Sequence, residues 1–390
     1  MKKKLLFVNG HLNVGGIEKS LSDLLCHLDY SRYDVDLLLL EDKGTYAEGL
    51  PPQVHVIHHD TRKAFGPFFT ILRQNLKQRD FTNILFRLVF LLSPIFGKST
   101  YRLLRHHLKI SKPYDWAIAY RVGFPNEIVA WTVKSKHKAC WWHNGIFPYS
   151  TSQTKTLMGS WGKMDYIVTV SEGCKQMLME KLHLEESKIK VIPNIIDVEK
   201  IEEMANTASP YPQEEGVLNI VTLGRLCWEK HMEDIPDIAS ILMDKGIIDF
   251  RWHIIGDGAK QEEIAKSIKK RHLERHIFMH GHQPNPYPYL KHADLMMHTS
   301  YVEAHCLTML EAMALKTPCV VTRTVIPQDF TIDGENCYIA EQDINSQVAC
   351  IVKLLSNMDK AQEMVEKAYQ MVKERYSANS IVTRVERLLL

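Results

Sequence analysis

The sequence lacks the marks of several common protein classes. Its eight cysteines are scattered, without a C-x-x-C pair and without a cysteine–histidine spacing typical of zinc sites. It contains no repeat at a solenoid period and no low-complexity tract. The longest apolar run, residues 84–96, is interrupted by Arg87 and Pro94 and is shorter than the roughly 20 residues that cross a bilayer. These absences argue against a zinc-finger protein, a repeat protein and a membrane-spanning segment, and the cysteine pattern favours the reducing cytosol.

The start of the chain also has little of what a signal peptide needs. Its basic beginning, Lys2 to Lys4, is followed by only four apolar residues before the polar Asn9. A signal peptide requires a longer apolar stretch, of about 7–15 residues. We therefore expect residues 4–8 to form a first buried strand.

What the chain does have is the composition of a two-domain globular protein. Apolar residues make up 45% of the chain and charged residues 24%, which is typical of a packed fold. A length of 390 residues exceeds one ordinary core and suits two domains, at roughly 150 residues per domain. Two domains imply a cleft.

Short apolar runs alternate with helical stretches in two series, which predicts an α/β fold with two doubly wound, Rossmann-like domains. The polar segment 199–216, with Pro210 and Pro212, separates the series and is the predicted linker. We expect an N-terminal domain over 1–198, a C-terminal domain over 217–374 and a final helix, 375–390, packed back on the first domain. The predicted strands are residues 4–8, 35–40, 116–120, 139–142 and 166–170 in the first series, and 219–223, 250–255, 277–279, 295–298 and 319–322 in the second.

Two glutamates follow the predicted strand 295–298. Leu307, Leu310 and Ala314 have helical spacing, so Glu303 falls in the loop before a helix and Glu311 in its second turn. Carboxylates accept hydrogen bonds from paired hydroxyls, and a helix N-terminus favours negative charge, so this arrangement suits a ribose, a diphosphate and a hexose together. Taken alone, the pair is equally well explained as an acid near a helix start and an exposed acid.

Two cations follow the predicted strand 219–223. Gly224 lets the backbone turn tightly, and from the following loop Arg225 and Lys230 can reach one diphosphate, replacing a divalent cation. The alternative is a pair of solvated cations, the usual state of exposed arginine and lysine. Their position after a strand favours the first interpretation, because ligands of open parallel sheets lie beyond the carboxyl ends of the strands.

Together with three further motifs, these features resemble the large glycosyltransferase family 4, also called glycosyl transferases group 1. The resemblance extends from Lys4 to about Asn336, and the joint order of the motifs is far more specific than any one of them. It implies a retaining enzyme of the GT-B fold, of the bacterial surface-polysaccharide type, with its two domains facing each other across a cleft. The further motifs are Val14-Gly15-Gly16-Ile17-Glu18, Val191-Ile192-Pro193-Asn194-Ile195-Ile196-Asp197 and Ile254-Ile255-Gly256-Asp257-Gly258.

The resemblance also implies roles for individual residues. Arg225 and Lys230 would hold the donor diphosphate, Glu311 the ribose and Glu303 the donor sugar, without a metal ion. A histidine placed like His143 lies beside the reacting sugar in this family. The expected catalytic residues are thus His143, Glu303, Arg225 and Lys230. The remaining donor-binding positions are turn glycines, loop residues and the helix start: Gly15, Gly16, Gly224, Gly256, Gly281, His282, Ala304, His305, Leu307 and Thr308.

The chain departs from the family pattern directly after the first glutamate. Family members usually have glycine, an aromatic residue and glycine there, whereas this chain has Ala304, His305 and Cys306. The added side chains narrow the approach to the backbone amides, and His305 could contact the sugar. We expect an unusual donor preference.

A metal-dependent alternative comes from Asp34-Val35-Asp36, which has the DxD form used by another class of glycosyltransferases to bind manganese. Here the motif opens the apolar run 35–40. The alternating pattern favours the start of a strand over a metal site.

Residues 61–112 form a strongly basic segment. They contain eleven Lys and Arg against the single acid Asp80, so the segment carries +10 and the rest of the chain −8. Aromatic residues are interleaved with the cations, as in helices that rest on anionic lipids. The alternatives are an insertion whose aromatics are core and whose cations are solvated, or a nucleic-acid surface, for which no motif is present.

The sequence therefore predicts a cytoplasmic transferase, peripheral on the inner face of the cell membrane. Its expected substrates are a nucleotide sugar, by resemblance a UDP-sugar, and a lipid-linked glycan or cell-surface polysaccharide that receives a hexose or N-acetylhexosamine. A same-fold epimerase or phosphorylase and a non-catalytic sugar-nucleotide or lipid-binding protein remain open.

Overall fold

A computed structural model of the chain describes residues 2–212, 214–326 and 328–390. The side chains of Phe68 and Phe69, two aromatics of the basic segment, lie outside the description. The chain divides into two compact units. The first comprises Met1–His143, Phe147–Pro193 and Val382–Leu390, and the second Asn144–Ile146 and Asn194–Ile381.

The first unit is built on a seven-stranded parallel sheet with the strand order β3-β2-β1-β4-β5-β6-β7. Consecutive apolar residues of β1 are fully buried, as expected for a parallel sheet covered on both faces. Its strands are β1 (Lys3–Asn9), β2 (Tyr33–Leu39), β3 (Val54–His58), β4 (Tyr114–Ala119), β5 (Ser135–Trp142), β6 (Tyr166–Thr169) and β7 (Ile189–Val191). The helices are α1 (Gly16–His27), α2 (Phe68–Lys77), α3 (Phe81–Phe96), α4 (Leu104–His107), α5 (Phe124–Trp131), α6 (Thr151–Trp161) and α7 (Glu172–Leu182).

The second unit is built on a six-stranded parallel sheet with the order β10-β9-β8-β11-β12-β13. Both sheets alternate with helices, so the predicted α/β class with two Rossmann-like domains is confirmed. Its strands are β8 (Leu218–Leu223), β9 (Phe250–Ile255), β10 (Ile277–Met279), β11 (Leu295–His298), β12 (Cys319–Thr322) and β13 (Tyr338–Ala340). The helices are α8 (Val198–Ala205), α9 (Ile235–Asp244), α10 (Gln261–Lys270), α11 (Tyr287–Lys291), α12 (Leu307–Ala314), α13 (Ile344–Leu355), α14 (Met358–Arg375) and α15 (Ala378–Leu389), the last of which ends in the first unit.

The structure differs from the predicted linker. The chain passes from the first unit to the second after Pro193, and residues 198–205 form the helix α8. Val198, Ile201 and Ala205 bury one face of that helix in the core of the second unit. The sequence of α8 is rich in glutamate, so its overall polarity suggested a linker although these three apolar residues have helical spacing.

The last residues belong to the first unit. Lys3 Nζ donates to the Leu389 carbonyl at 2.8 Å, and Trp116 Nε1 donates to the same oxygen at 3.1 Å. Arg32 pairs with Glu386. The end of α15 is therefore fastened to the first sheet at the end where the central strands β1 and β4 begin.

Asp36 of the DxD motif lies inside β2, where it is almost fully buried. Its carboxylate accepts a hydrogen bond from the Tyr114 hydroxyl at 2.5 Å and pairs with Lys112 Nζ at 2.9 Å. Asp34 is half-exposed and lies 3.8 Å from the same ammonium. One ammonium thus lies against both carboxylates, and the whole motif belongs to the strand β2.

The basic segment connects β3 to β4 and contains α2, α3 and α4. Asp80 caps α3 by accepting from the Asn83 backbone N–H, and Phe86 and Val89 are buried against the rest of the unit. The opposite side of α3 is also apolar: Ile95 and Phe96 are 75% and 66% exposed. This helix therefore presents a second apolar face to the outside.

Glycines make possible the tight turns that follow β8 and β9. Gly256 has φ 136°, and a Cβ added to it would overlap the Gly224 carbonyl. Replacing Gly256 with alanine is therefore expected to lower the free energy of unfolding by about 3 kcal/mol, the sum of left-handed strain and overpacking. The control is Gly246→Ala, since Gly246 has φ 84° and open space around it.

Urea denaturation of both variants, followed by circular dichroism, tests this expectation. Gly246→Ala isolates the strain alone and should cost about 1 kcal/mol. Equal costs in the two variants would contradict a close backbone approach at Gly256.

Candidate functional site

The turns after β8 and β9 are held together by their backbones. The Gly224 N–H donates to the Ile255 carbonyl at 3.0 Å, and the Gly256 N–H donates to the Gly281 carbonyl at 2.8 Å. These bonds align three glycine turns at the carboxyl ends of β8, β9 and β10. Arg225 and His282 follow two of these turns and are exposed. The residues of these loops that are predicted to bind the sugar donor thus lie together at the carboxyl ends of β8, β9 and β10.

Lys230 and Glu303 form an ion pair in the second unit. Their side chains are only 16% and 12% exposed, so water screens the pair weakly. Burial lowers the pKa of Lys230, but the adjacent Glu303 carboxylate outweighs burial and raises it. Burial raises the pKa of Glu303, but Lys230 and His298 hold it well below its usual range. Both groups are therefore charged at neutral pH.

Backbone contacts position this pair. The Thr299 hydroxyl donates to the Lys230 carbonyl at 2.7 Å, and the Tyr301 N–H donates to the Glu229 carbonyl at 2.9 Å. These bonds tie the loop after β8 to the loop after β11. The two charged side chains therefore face each other because their loops are joined.

His298, the last residue of β11, lies beneath the pair. Its Nε2 is 3.1 Å from Glu303 Oε1, 3.0 Å from the Ser300 hydroxyl and 2.9 Å from Cys306 Sγ. Burial lowers the pKa of His298, but Cys306 and Glu303 more than offset it and raise the pKa to about 9. Sequence reasoning missed His298 because it ends an apolar strand, with nothing in the spacing to mark it.

A small cavity of about 100 Å³ adjoins this cluster. His298 and Cys306 line it together with polar residues at and after the end of β12, among them Thr322 and Gln328. Gln328 Oε1 accepts from the Cys306 backbone N–H at 3.0 Å, which holds the start of α12 in place. The cluster therefore has free volume on one side.

The helix α12 begins as predicted, with Glu303 in the loop before it and Glu311 in its second turn. Cys306 is its N-cap but makes no side-chain cap bond, and Leu307 and Thr308 form the first turn. Glu311 is buried, and its Oε1 accepts from the Tyr287 hydroxyl at 3.2 Å. Because Cys306 lies close to Glu303, the N-terminus of α12 is next to the Lys230–Glu303 ion pair.

Ala304 and His305 are both buried where the family has glycine and an aromatic residue. The His305 ring packs against Phe330 and Tyr376, at 5.7 and 5.5 Å between centroids, and its Nδ1 lies 3.4 Å from Asn194 Nδ2. Burial lowers the pKa of His305 to about 3, so the ring is neutral. It occupies a core position much as an aromatic residue would.

The first unit contains the glycine motif and His143. Gly15 caps α1, whose first residue is Gly16, and the buried Glu18 in the first turn lies 3.5 Å from Arg121. His143 follows β5, and its half-buried ring is tilted against Tyr120 at 5.1 Å. These residues form a separate group in the first unit.

The next loop, Asn144–Ile146, groups with the second unit. A Cβ on Gly145 would come within 2.6 Å of the Glu303 carbonyl carbon. Only glycine permits so close a backbone approach. Gly145 therefore joins His298 and Cys306 as a site residue that sequence reasoning did not assign.

Two family models match the chain. The model described as Glycosyltransferase Family 4 matches residues 14–200, and the model described as Glycosyl transferases group 1 matches residues 206–371. The two matches follow one another and together extend over most of the chain. The first match lies mostly in the first unit, and the second lies within the second unit.

Curated relatives agree with these matches. A poly(ribitol-phosphate) alpha-N-acetylglucosaminyltransferase of Staphylococcus aureus is 31% identical over 200 residues, 50% of this chain and 40% of that protein. An N-acetyl-alpha-D-glucosaminyl L-malate synthase of Bacillus anthracis is 26% identical over 202 residues, 51% of this chain and 52% of that protein. The chain thus spans about half the length of the curated relatives it matches.

A solved structure shares the fold over nearly the full length. It is HepE of Anabaena in complex with UDP and glucose. The TM-score is 0.74, the sequence identity is 15%, and 99% of each chain is covered. At that identity the likeness is evidence for the fold alone. With both family models matched and both Rossmann-like units present, the chain belongs to glycosyltransferase family 4 and has the GT-B fold.

Proposed function

We propose that the protein transfers a hexose or N-acetylhexosamine from a UDP-sugar to a lipid-linked glycan or cell-surface polysaccharide. Transfer proceeds with retention at the anomeric carbon and without a divalent metal ion. The observation that carries this proposal is the buried pair of Lys230 and Glu303 beside the start of α12. It supplies one cation and one carboxylate where a donor needs both.

In this proposal the donor diphosphate draws Lys230 away from Glu303. A diphosphate carries more negative charge than a carboxylate, so it competes well for a weakly screened ammonium. The released Glu303 carboxylate then accepts hydrogen bonds from the sugar hydroxyls. Donor binding would thus exchange this ion pair for two contacts with one donor.

Negative charge grows on the leaving diphosphate as the sugar–phosphate bond breaks. Lys230, the exposed Arg225 and the N-terminus of α12 at Leu307 and Thr308 would stabilise that charge, as preorganised cations and dipoles do. Glu311 would bind the ribose. These contacts take the place of a metal ion in the proposed mechanism.

The glycine turns would let backbone amides approach the phosphates. The carboxyl ends of β8, β9 and β10 carry Gly224, Gly256 and Gly281. Arg225 and His282 follow two of these glycines in the sequence. The Ala304 and His305 backbone would continue this lining. We assign the base to the loop at Gly281 and His282.

The acceptor would be bound from the first unit. Gly15 and Gly16 start a helix whose N-terminus favours an anionic group, and His143 would hydrogen-bond the reacting sugar without adding a fixed negative charge. Attack on the same face as the leaving diphosphate gives retention, and the departing phosphate accepts the proton of the acceptor hydroxyl.

The names of the relatives support the donor class. Both curated relatives are named for N-acetylglucosaminyl transfer, and the solved HepE structure contains UDP and glucose. The proposed donors are therefore UDP-N-acetylglucosamine first and UDP-glucose second. The name of the Staphylococcus aureus relative favours a phosphate-containing polymer as acceptor.

The test is release of UDP from a panel of UDP-sugars, with and without membrane lipid extract as the acceptor source. The proposal expects release from one donor that depends on the acceptor. Sugar interconversion without an acceptor would indicate an epimerase instead. Binding of UDP-sugars with no turnover under any acceptor would leave a non-catalytic sugar-nucleotide-binding protein.

The basic segment would attach the protein to the inner face of the cell membrane. Among the described residues, no helix combines the length and apolarity needed to cross a bilayer. The exposed apolar face of α3, with Ile95, Phe96 and the 62% exposed Phe81, lies within a segment of charge +10. Apolar contact together with attraction to anionic lipids is how interfacial helices bind.

Replacing Ile95 and Phe96 together with serine is expected to weaken binding to anionic vesicles at least about tenfold, because two large apolar side chains no longer enter the lipid. Cosedimentation with vesicles measures the effect. The matched control is Ile248→Ser, since Ile248 is 54% exposed in the second unit. Binding should also weaken as salt is raised, because salt screens exposed charges. Equal binding to neutral and anionic vesicles would contradict the proposal.

A further inference from the structure

Four groups able to bind a cation converge on one point beneath the Lys230–Glu303 pair. His298 Nε2 has Glu303 Oε1, Ser300 Oγ and Cys306 Sγ within 2.9–3.1 Å. A protonated ring nitrogen carries one hydrogen, so it cannot donate a full hydrogen bond to all three neighbours at once. One metal ion can bind several of these atoms together.

The ligand types favour a borderline transition metal. Imidazole nitrogen, thiolate sulfur and carboxylate oxygen are the three ligand classes of zinc sites. The ligand atoms of His298, Glu303 and Cys306 all lie within 4.8 Å of one another, and among the residues that the structure describes they are the only such group of three or more. Hard cations such as Mg²⁺ prefer oxygen ligands and fit this set poorly.

We propose that His298, Glu303 and Cys306 form a Zn²⁺-binding site whose occupation separates Glu303 from Lys230. Binding removes the protons from His298 Nε2 and Cys306 Sγ, which pass to solvent, and each atom then donates a lone pair to the ion. This site goes beyond the proposed transfer reaction, which uses no metal.

The site has room to adjust to an ion. Tetrahedral zinc, with bonds of about 2.0 Å to nitrogen and 2.3 Å to sulfur, separates its ligand atoms by roughly 3.5 Å. The present separations are 2.9 and 3.1 Å, so the ligands need to move apart by about half an ångström. The adjoining cavity of about 100 Å³ supplies the space, and also the volume for a water as fourth ligand.

Zn²⁺ and Lys230 compete for the same carboxylate. Lys230 contacts Glu303 Oε1, which is also the oxygen nearest His298. An ion bound there repels the nearby ammonium, so Lys230 must leave its position. Zn²⁺ would therefore oppose donor binding, because the bound ion occupies Glu303 and displaces Lys230.

The experiment is competition of the full-length protein with a chromophoric chelator for Zn²⁺, with no sugar nucleotide present. We expect one tight site per chain. Cys306→Ser and His298→Gln should each lose at least about tenfold in affinity, because each removes a ligand. Lys230→Met should gain affinity several-fold, because it removes the competing cation. Cys350→Ser, which alters a half-buried cysteine in α13, is the matched control and should bind like the unaltered chain.

Cobalt gives an independent readout. Co²⁺ bound to the proposed site should give a thiolate-to-metal absorption band that is lost in Cys306→Ser and retained in Cys350→Ser. Circular dichroism checks that each variant is folded, and Cys306→Ala replaces the serine variant if that one is not. The proposal is overturned if the folded Cys306 variants bind Zn²⁺ as tightly as the unaltered chain, or if Lys230→Met weakens binding. These outcomes do not depend on whether the protein transfers sugars.

Discussion

Replacing Lys230 with alanine is expected to lower kcat/KM for the UDP-sugar about 10²–10³-fold, the loss typical when one preorganised charge-stabilising donor is removed. Lys230 is mostly buried, and Glu303 keeps it charged. A cation from solvent therefore cannot easily take the place of the missing ammonium. Lys230 would contact the diphosphate on binding and would stabilise the further charge that grows during bond breaking, so KM should rise and kcat should fall, with the larger effect in kcat. Initial rates of UDP release over a range of donor concentrations separate kcat from KM.

The matched control is Lys266→Ala, since Lys266 lies on α10 in the same unit and is 81% exposed. It should leave both constants unchanged. A Lys230→Ala variant that is folded and turns over normally would remove Lys230 from the proposed site. A loss confined to KM would assign it to ground-state binding alone.

Replacing Glu303 with glutamine is the second large effect, and it should lower both activity and stability. We expect kcat to fall about a hundredfold, since an amide has one acceptor oxygen and no charge to hold the sugar hydroxyls. The substitution also leaves the buried Lys230 ammonium without its counter-charge. Breaking a buried ion pair in this way lowers the free energy of unfolding by about 3–5 kcal/mol. UDP release and urea denaturation measure the two effects separately.

A double variant distinguishes the two roles of Glu303. Combining Glu303→Gln with Lys230→Met removes the unpaired buried charge, so stability should recover relative to Glu303→Gln alone. Activity should stay low, because neither proposed contact with the donor is restored. If activity recovers with stability, then Glu303 acts only as a structural partner of Lys230.

The sequence predicted the central strands closely but missed three of the four edge strands; the fourth, β10, matches the predicted strand 277–279. The runs 250–255, 295–298 and 319–322 coincide with β9, β11 and β12 residue by residue. Central strands are buried on both faces, so apolar residues dominate their sequences, as in β11 and β12. The unpredicted strands β3, β7 and β13 all lie at a sheet edge, where they are short or interspersed with polar residues.

The candidate site was predictable only where residues belong to a recognisable motif. Lys230 and Glu303 are separated by 73 positions, yet each follows a strand, and the structure brings them into contact. His298 and Cys306 carried no such signal, because a strand end, a loop and a helix start bring them together rather than any helical or strand periodicity.

The attachment of residues 382–390 to the first unit has a consequence for how the protein is made. The Leu389 carbonyl accepts hydrogen bonds from Lys3, the first residue of β1, and from Trp116 in β4. A ribosome must therefore produce the entire second unit before the first can complete its contacts. The half that is synthesised first therefore completes its contacts last.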